Sequence, residues 1–258
     1  MLTRQQVKDI KRLHQKKYRA KTQKYLVEGL RLVEAVVAGG APIEQVIVTE
    51  EALQKPRVQA LVQQARGRVT VIPSLQMKQL SEVETSQGIL AVVGMQEVDE
   101  EQVLQMKRLL LLDSIQDPGN VGTLIRSAAW FGVDAVVASK GTVDFYNPKV
   151  VRATMGGLWA VRLVAVRDFP AFIDRLKYAG KLCYGADMEG VPVSQWQPAI
   201  EGALVVGNEA HGLSAEVRDK LDVRVFIPPC GRGAIPAVES LNVSVATGIL
   251  LYAWCGGT

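Results

Sequence analysis

The stretch FIPPCGRGAIPAVESLNVSVATGILL, residues 226–251, has three parts with different physics. Residues 223–227 are a short run dominated by β-branched and aromatic side chains, which predicts a buried strand. Residues 228–237 are rich in Pro and Gly and carry a lone Arg232, so they predict a loop. From Ser240 onward, small and apolar residues run to Trp254 and predict a buried helix. Ser240 or Asn242 can cap it, because a side-chain oxygen there takes a free backbone N–H. A strand, a Pro/Gly loop and a small-residue helix start can hold a ligand against bare backbone. The same pattern also fits an ordinary C-terminal core helix, and the stretch alone does not separate the two.

Just upstream, the strand-like residues 203–206 run into Gly207-Asn208-Glu209-Ala210-His211-Gly212-Leu213. A glycine at the carboxyl end of a strand lets a ligand approach backbone, at the edge where open α/β sheets bind ligands. Glu209 is the polar group placed there. His211, a single histidine between Ala and Gly, reads as incidental rather than as a general base.

Further upstream, residues 109–112 are an apolar run of the kind found in a parallel strand buried on both faces. Residues 113–126, DSIQDPGNVGTLIR, follow. Pro118 and Gly119 predict a turn, Asn120 a helix cap, and Leu124, Ala128 and Phe131 an apolar helix face. Asn120 and Arg126 are nearly two turns apart, so both can edge one cleft if Asn120 is the first helical residue. Strands at 135–138, 161–164 and 181–186 alternate with helices at 149–155 and 169–178. That pattern predicts a mostly parallel sheet flanked by helices, an α/β domain over residues 108–258.

The first half of the chain reads as a smaller α/β unit over residues 1–94. Leu26, Leu30, Val33 and Val37 follow helical spacing up to Gly39-Gly40. Strands are expected at 43–48, 69–72 and 89–93, and helices at 58–65 and 74–80. Residues 95–107 lack periodicity and read as a link. The N-terminal thirty-odd residues are strongly basic, with Lys11, Arg12, Lys16, Lys17 and Arg19 among them and His14, Tyr18 and Tyr25 interleaved. This composition suits phosphate contacts with some stacking on bases, although a solvated helix face has the same appearance.

Whole-chain composition bounds these readings. A chain of 258 residues that is 48% hydrophobic and 22% charged has a real core, and its net charge of +4 permits an RNA partner without requiring one. Cys183, Cys230 and Cys255 show no CxxC spacing and only His14 and His211 are present, so neither a metal nor a disulfide framework is expected. No apolar signal core opens the chain, and the C-terminal apolar run is broken by Thr247 and Gly248. A cytoplasmic protein without a membrane anchor is therefore expected. The dinucleotide GxGxxG, the GxxxxGK[ST] phosphate loop and the GxSxG elbow are all absent.

Three motifs in order then resemble those of the SpoU/TrmH family of RNA ribose 2′-O-methyltransferases, in the SPOUT superfamily. They are Asn120-Val-Gly-Thr-Leu-Ile-Arg126, Gly207-Asn-Glu-Ala-His-Gly-Leu213, and Ile227-Pro followed by Glu239-Ser-Leu-Asn-Val-Ser-Val-Ala246. The N-terminal unit, with Val27-Glu28-Gly29 and Ser86-Gln87-Gly88-Ile89, is similar to the ribosomal-protein-like RNA-binding domain fused to rRNA-acting members. The resemblance implies a deep trefoil knot, S-adenosylmethionine as cosubstrate, and a homodimer packed through the knot region. Cofactor contacts carried over by motif involve Gly207, Ile227 and Leu241, with Asn208, Glu209, Ser240 and Asn242 nearby. The segment 228–238 is longer than the family's usual loop.

The resemblance also implies roles. Arg126 activates the ribose hydroxyl; a guanidinium normally keeps its proton, so binding the adjoining phosphate and stabilising the developing alkoxide is the preferred role, and literal base action would require strong desolvation or a second cation. Asn120 orients Arg126 or the sugar, Glu209 holds its loop and can help to position Arg126, and Asn242 and Ser244 support the backbone of the site. The N-terminal domain favours large-subunit rRNA over tRNA as substrate. A catalytically silent RNA-binding or assembly factor is the third alternative, and the presence of Asn120, Arg126, Glu209 and Asn242 argues against it.

Overall fold

In the computed structural model, which describes residues 1–65, 67–229 and 239–256, the chain forms two units. One comprises Met1–Glu97 with Asp144–Ala160, the other Val98–Val143 with Val161–Thr258.

The first unit is a four-stranded sheet of Lys24–Glu28 (β1), Ile43–Thr49 (β2), Arg68–Ile72 (β3) and Ile89–Gly94 (β4). Its order is β1-β4-β2-β3, with β2 and β3 parallel and the other pairs antiparallel. Leu26, expected on a helix with Leu30, Val33 and Val37, lies in β1; the helix is Leu30–Ala38. The break falls at Gly29, whose φ of +101° suits glycine and turns the chain out of the strand. Tyr25, Leu26 and Val27 are all buried, so β1 is covered on both faces and carries no alternation to mark it.

The insertion Asp144–Ala160 belongs to this unit, which the linear boundary at residue 94 did not anticipate. Trp159 Nε1 donates to Tyr25 Oη at 2.7 Å, and the Tyr25 and Tyr146 rings lie 4.6 Å apart. Tyr25 is therefore a core residue, not a surface for stacking bases. Arg19 is corrected in the same way. It is only 2% exposed, and its guanidinium donates to Asp144 Oδ2 and to the carbonyls of Leu13 and His14. A buried guanidinium hydrogen-bonded through all three of its nitrogens holds the fold and is not offered to RNA.

The second unit is a parallel six-stranded sheet: Arg108–Asp113 (β5), Ala135–Ala138 (β6), Arg162–Ala165 (β7), Leu182–Pro192 (β8), Gly202–Gly207 (β9) and Val223–Phe226 (β10). Its order is β10-β8-β9-β5-β6-β7. Residues 95–107 are not a bare link. They hold the helix Glu100–Leu104, and Val103 and Leu104 join the apolar core with Leu109, Leu111, Val137, Phe172 and Val205. Strand order runs from β5 out through β6 and β7, then resumes on the other side with β8 and β9. The switch point therefore lies between β5 and β9, where open α/β sheets place a ligand-binding crevice at their carboxyl ends. The expected loop at 228–237, with Arg232 and Cys230, lies almost wholly outside the described residues. Among those described, no helix is long and apolar enough to cross a membrane, and no group of His, Cys, Asp and Glu could hold a metal ion.

Candidate active site

The helix Pro118–Trp130 starts one turn earlier than its sequence suggested. Asp117 caps it, taking the backbone N–H of Asn120 at 2.8 Å, and Pro118 supplies a fixed φ at the first position. Asn120 is thus the third helical residue, and its side chain is released from capping. The Asp-Pro-Gly run was the signal for this cap.

Both polar atoms of that side chain are engaged. Asn120 Nδ2 donates to Glu209 Oε1 at 3.0 Å, while Asn120 Oδ1 accepts from Asn242 Nδ2 at 3.1 Å and from Ser244 Oγ at 3.3 Å. Asn242 caps the helix Val243–Cys255, accepting from the N–H groups of Ser244 and Val245. One amide therefore joins the loop after β9 to the starts of two helices. Glu209 also accepts from the N–H groups of Gln116 and Asp117 at 3.3 and 3.2 Å. Burial alone would push its carboxyl up, but the Asn120 amide and the backbone N–H groups outweigh that and hold it below the ordinary glutamate range.

Arg126 stands apart from this network. It is exposed, and among the described residues its side chain makes no hydrogen bond or ion pair. It follows Asn120 by six residues, about 9 Å along the helix. Asn120 and Glu209 therefore make no direct contact with its side chain. Their partners are each other.

The loop 207–213 is closed on itself. Asn208 and Gly212 exchange both backbone hydrogen bonds, at 2.9 and 2.8 Å. A Cβ on Gly207 would come within 2.2 Å of the Gly212 carbonyl carbon, so glycine here is what lets the loop fold back. Asn208 Oδ1 accepts from the N–H groups of Ala210 and His211, and its Nδ2 donates to the Ser114 carbonyl at 2.8 Å. Two residues that open the stretch 113–126, neither singled out in sequence, complete the anchor. Asp113, paired with Gly207 across the sheet and 4% exposed, takes the Ser214 N–H at 2.8 Å. Ser114 adopts φ +60°, a conformation that L residues other than Asn and Asp seldom take. The acidic end of an apolar strand was the available signal for Asp113; nothing in the sequence marks Ser114.

Ile227 follows the end of β10 and is half-buried, whereas Ser240 and Leu241 are exposed, Leu241 by 46%. Ile227 and Leu241 are apolar and flank the segment 230–238, which lies outside the described residues. Of the basic candidates in the first unit, Lys11, Lys16 and Lys17 are exposed. Arg12 lies over the Tyr18 ring at 5.0 Å and meets Asp9 at 3.2 Å.

Comparison with known proteins finds matches over two stretches of the chain. Residues 107–252 match the model of the SpoU rRNA methylase family, and residues 4–91 match an MRM3-like substrate binding domain. The 23S rRNA (guanosine(2553)-2′-O)-methyltransferase RlmP of Bacillus subtilis is 36% identical over 96% of this chain and 95% of its own length. Among solved structures, one of the TrmH family from Porphyromonas gingivalis superposes with a TM-score of 0.87 at 32% identity, covering 100% of both chains. An AdoMet-bound rRNA methyltransferase from Sinorhizobium meliloti superposes with a TM-score of 0.84 at 27% identity, covering 98% of this chain and 95% of that one.

Proposed function

We infer what this chain does from one premise, that it belongs to the SpoU rRNA methylase family. It is an S-adenosylmethionine-dependent RNA methyltransferase acting on a ribose 2′-hydroxyl, and its substrate is large-subunit rRNA. The observation that carries the reading to this chain's own residues is the Asn120 amide. It ties Glu209 and Asn242 together and leaves Arg126 exposed on the same helix.

Gly207, Asn208, Ile227, Ser240 and Leu241 would hold the cosubstrate, with Glu209 and Asn242 fixing the backbone around it. S-adenosylmethionine supplies an electrophilic methyl group on a sulfonium centre. The chain's task is to align a ribose hydroxyl with it and to stabilise the oxygen as its proton passes to water, while the sulfonium would depart as the neutral thioether, S-adenosylhomocysteine. Arg126 does this as a permanent cation whose fork bridges the hydroxyl and the neighbouring phosphate. Asn120, Glu209 and Asn242 act by holding the helix that carries Arg126 against the cosubstrate loops.

The first unit binds the RNA, with exposed Lys11, Lys16 and Lys17 and half-buried Arg12 meeting phosphates. The protein is a cytoplasmic homodimer. Val245, Ile249 and Tyr252 lie at i, i+4 and i+7 on the C-terminal helix and are 52%, 39% and 66% exposed, an apolar stripe suited to a second copy. The trefoil knot belongs to the same proposal, since the segment entering that helix includes residues 230–238, outside the described chain. The test is methyl transfer from radiolabelled S-adenosylmethionine to large-subunit rRNA and to tRNA, with ribose methylation mapped in cells with and without the gene. Label on tRNA alone would reassign the substrate; label on neither, with bound cosubstrate, would support a silent assembly factor.

A further inference from the structure

Strands β8 and β10 pair in register until one step of β10 is matched by six of β8. Arg224 pairs with Gly185, but the next residue, Val225, pairs with Val191. Residues 186–190 are therefore pushed out of the sheet at its carboxyl edge. Because β8 lies between β9 and β10, this excursion stands between the strand that ends at Gly207 and the strand that leads to Ile227. It is pressed onto β10: Gly190 has φ +128°, and a Cβ there would come within 2.2 Å of the Arg224 carbonyl oxygen.

The excursion carries one buried charge. The side chain of Asp187 is 8% exposed, and its Oδ2 lies 3.3 Å from Arg218 Nε and 3.5 Å from Arg224 Nη1. Its other oxygen accepts from the Met188 N–H at 2.7 Å. Arg218 ends the short helix Ala215–Arg218, which directly follows the 207–213 loop. Arg224 lies in β10, three residues before Ile227. A single carboxylate thus grips the segment leaving one cosubstrate loop and the segment entering the other. Two flexible arginines, 45% and 38% exposed, gain little from such pairing at a free surface. Sharing one desolvated carboxylate fixes both at once, because leaving that carboxylate alone would be costly.

We propose that Asp187 is a positioning residue for S-adenosylmethionine: its clamp on Arg218 and Arg224 sets the spacing between the Gly207 loop and Ile227. This rests on the placement of the cosubstrate at Gly207, Ile227 and Leu241 given above. Asp187 touches no reacting group, so its effect falls on affinity rather than on the methyl-transfer step.

The test is calorimetric binding of S-adenosylmethionine and of its demethylated product to full-length wild type, Asp187→Asn, Asp187→Glu and the double variant Arg218→Gln/Arg224→Gln. Single-turnover transfer at saturating cosubstrate and thermal melts accompany it. Asp187→Asn weakens both ligands by about tenfold, the double variant does the same, and combining them adds little more, as expected of one coupled unit. Transfer at saturation changes less than twofold, and Asp187→Glu recovers part of the affinity. Unchanged affinity in the double variant, or losses that simply add, overturns the proposal. If Asp187→Asn does not fold, the single variant Arg218→Gln, which leaves Arg224 beside the carboxylate, decides alone: unchanged affinity there overturns the proposal. Leu241→Glu separates the proposal from its premise. If that variant binds the cosubstrate as wild type does, the placement of the site is wrong; if only it loses binding, the clamp is wrong and the site stands.

Discussion

Asn120 Nδ2 donates to Glu209 Oε1 at 3.0 Å, so the first motif is fastened to the second through one amide hydrogen. Replacing that donor with a carboxylate tests the link. Asn120→Asp sets two acceptors against each other and loses about 1 kcal/mol of stability at neutral pH, given the solvent around this exposed pair. The deficit relative to wild type shrinks in acid, where a shared proton restores a donor. Chemical denaturation of both proteins across pH 4 to 8 checks this, and a deficit that grows in acid refutes it.

Glu209 itself gives a pH signature. Its folded carboxyl lies below the ordinary glutamate range: burial raises it, and the Asn120 amide and the N–H groups of Gln116 and Asp117 lower it further than that. A depressed carboxyl stabilises the fold fully above its unfolded value, and that contribution is lost as pH falls through the depressed folded value. Glu209→Gln should therefore melt below wild type at neutral pH and converge with it in acid.

Arg126 is exposed and, among the described residues, unpaired, so Arg126→Ala should leave stability within about 0.5 kcal/mol of wild type. Single-turnover methyl transfer should fall about a hundredfold or more, with S-adenosylmethionine affinity unchanged. Arg126→Lys should not restore the rate, because an ammonium cannot reproduce the planar fork. A near wild-type rate for the lysine variant would remove the geometric role assigned to Arg126.

Arg19 and Lys17 lie two residues apart and should behave oppositely. Arg19→Ala strands Asp144 and two backbone carbonyls and should cost about 3 kcal/mol or more in stability. Lys17→Ala should leave the melting curve unchanged and lower the salt slope of RNA binding by about one. Filter binding over a salt series beside thermal melts reads both. Deleting residues 1–94 would be a poorer test of RNA affinity, since it would also strip Tyr25 from Trp159 and Arg19 from Asp144.

Tyr252 is 66% exposed on the apolar stripe with Val245 and Ile249. Tyr252→Glu should convert the proposed homodimer to monomer in light scattering at micromolar concentration while the fold persists. A wild-type protein that is already monomeric there would end the dimer reading.

The sequence by itself determined the six strands of the second unit and the order of its three motifs. Apolar runs such as 109–112 and 203–206 are buried on both faces wherever they pack, and Gly207, Asn242 and Pro118 impose local backbone behaviour without help from distant residues. It could not separate Arg19 from Lys17, or Tyr25 from Tyr18. In sequence these are alternating cations and rings, and only Asp144, Tyr146 and Trp159, more than a hundred residues away, bury one of each pair. The same distance hid the role of Asn120. Its neighbours suggest a cap, but Asp117 takes that position and frees the amide for Glu209 and Asn242. Burial and partnership of polar groups depend on what the chain brings back from far along its length, and the tertiary structure alone decides that.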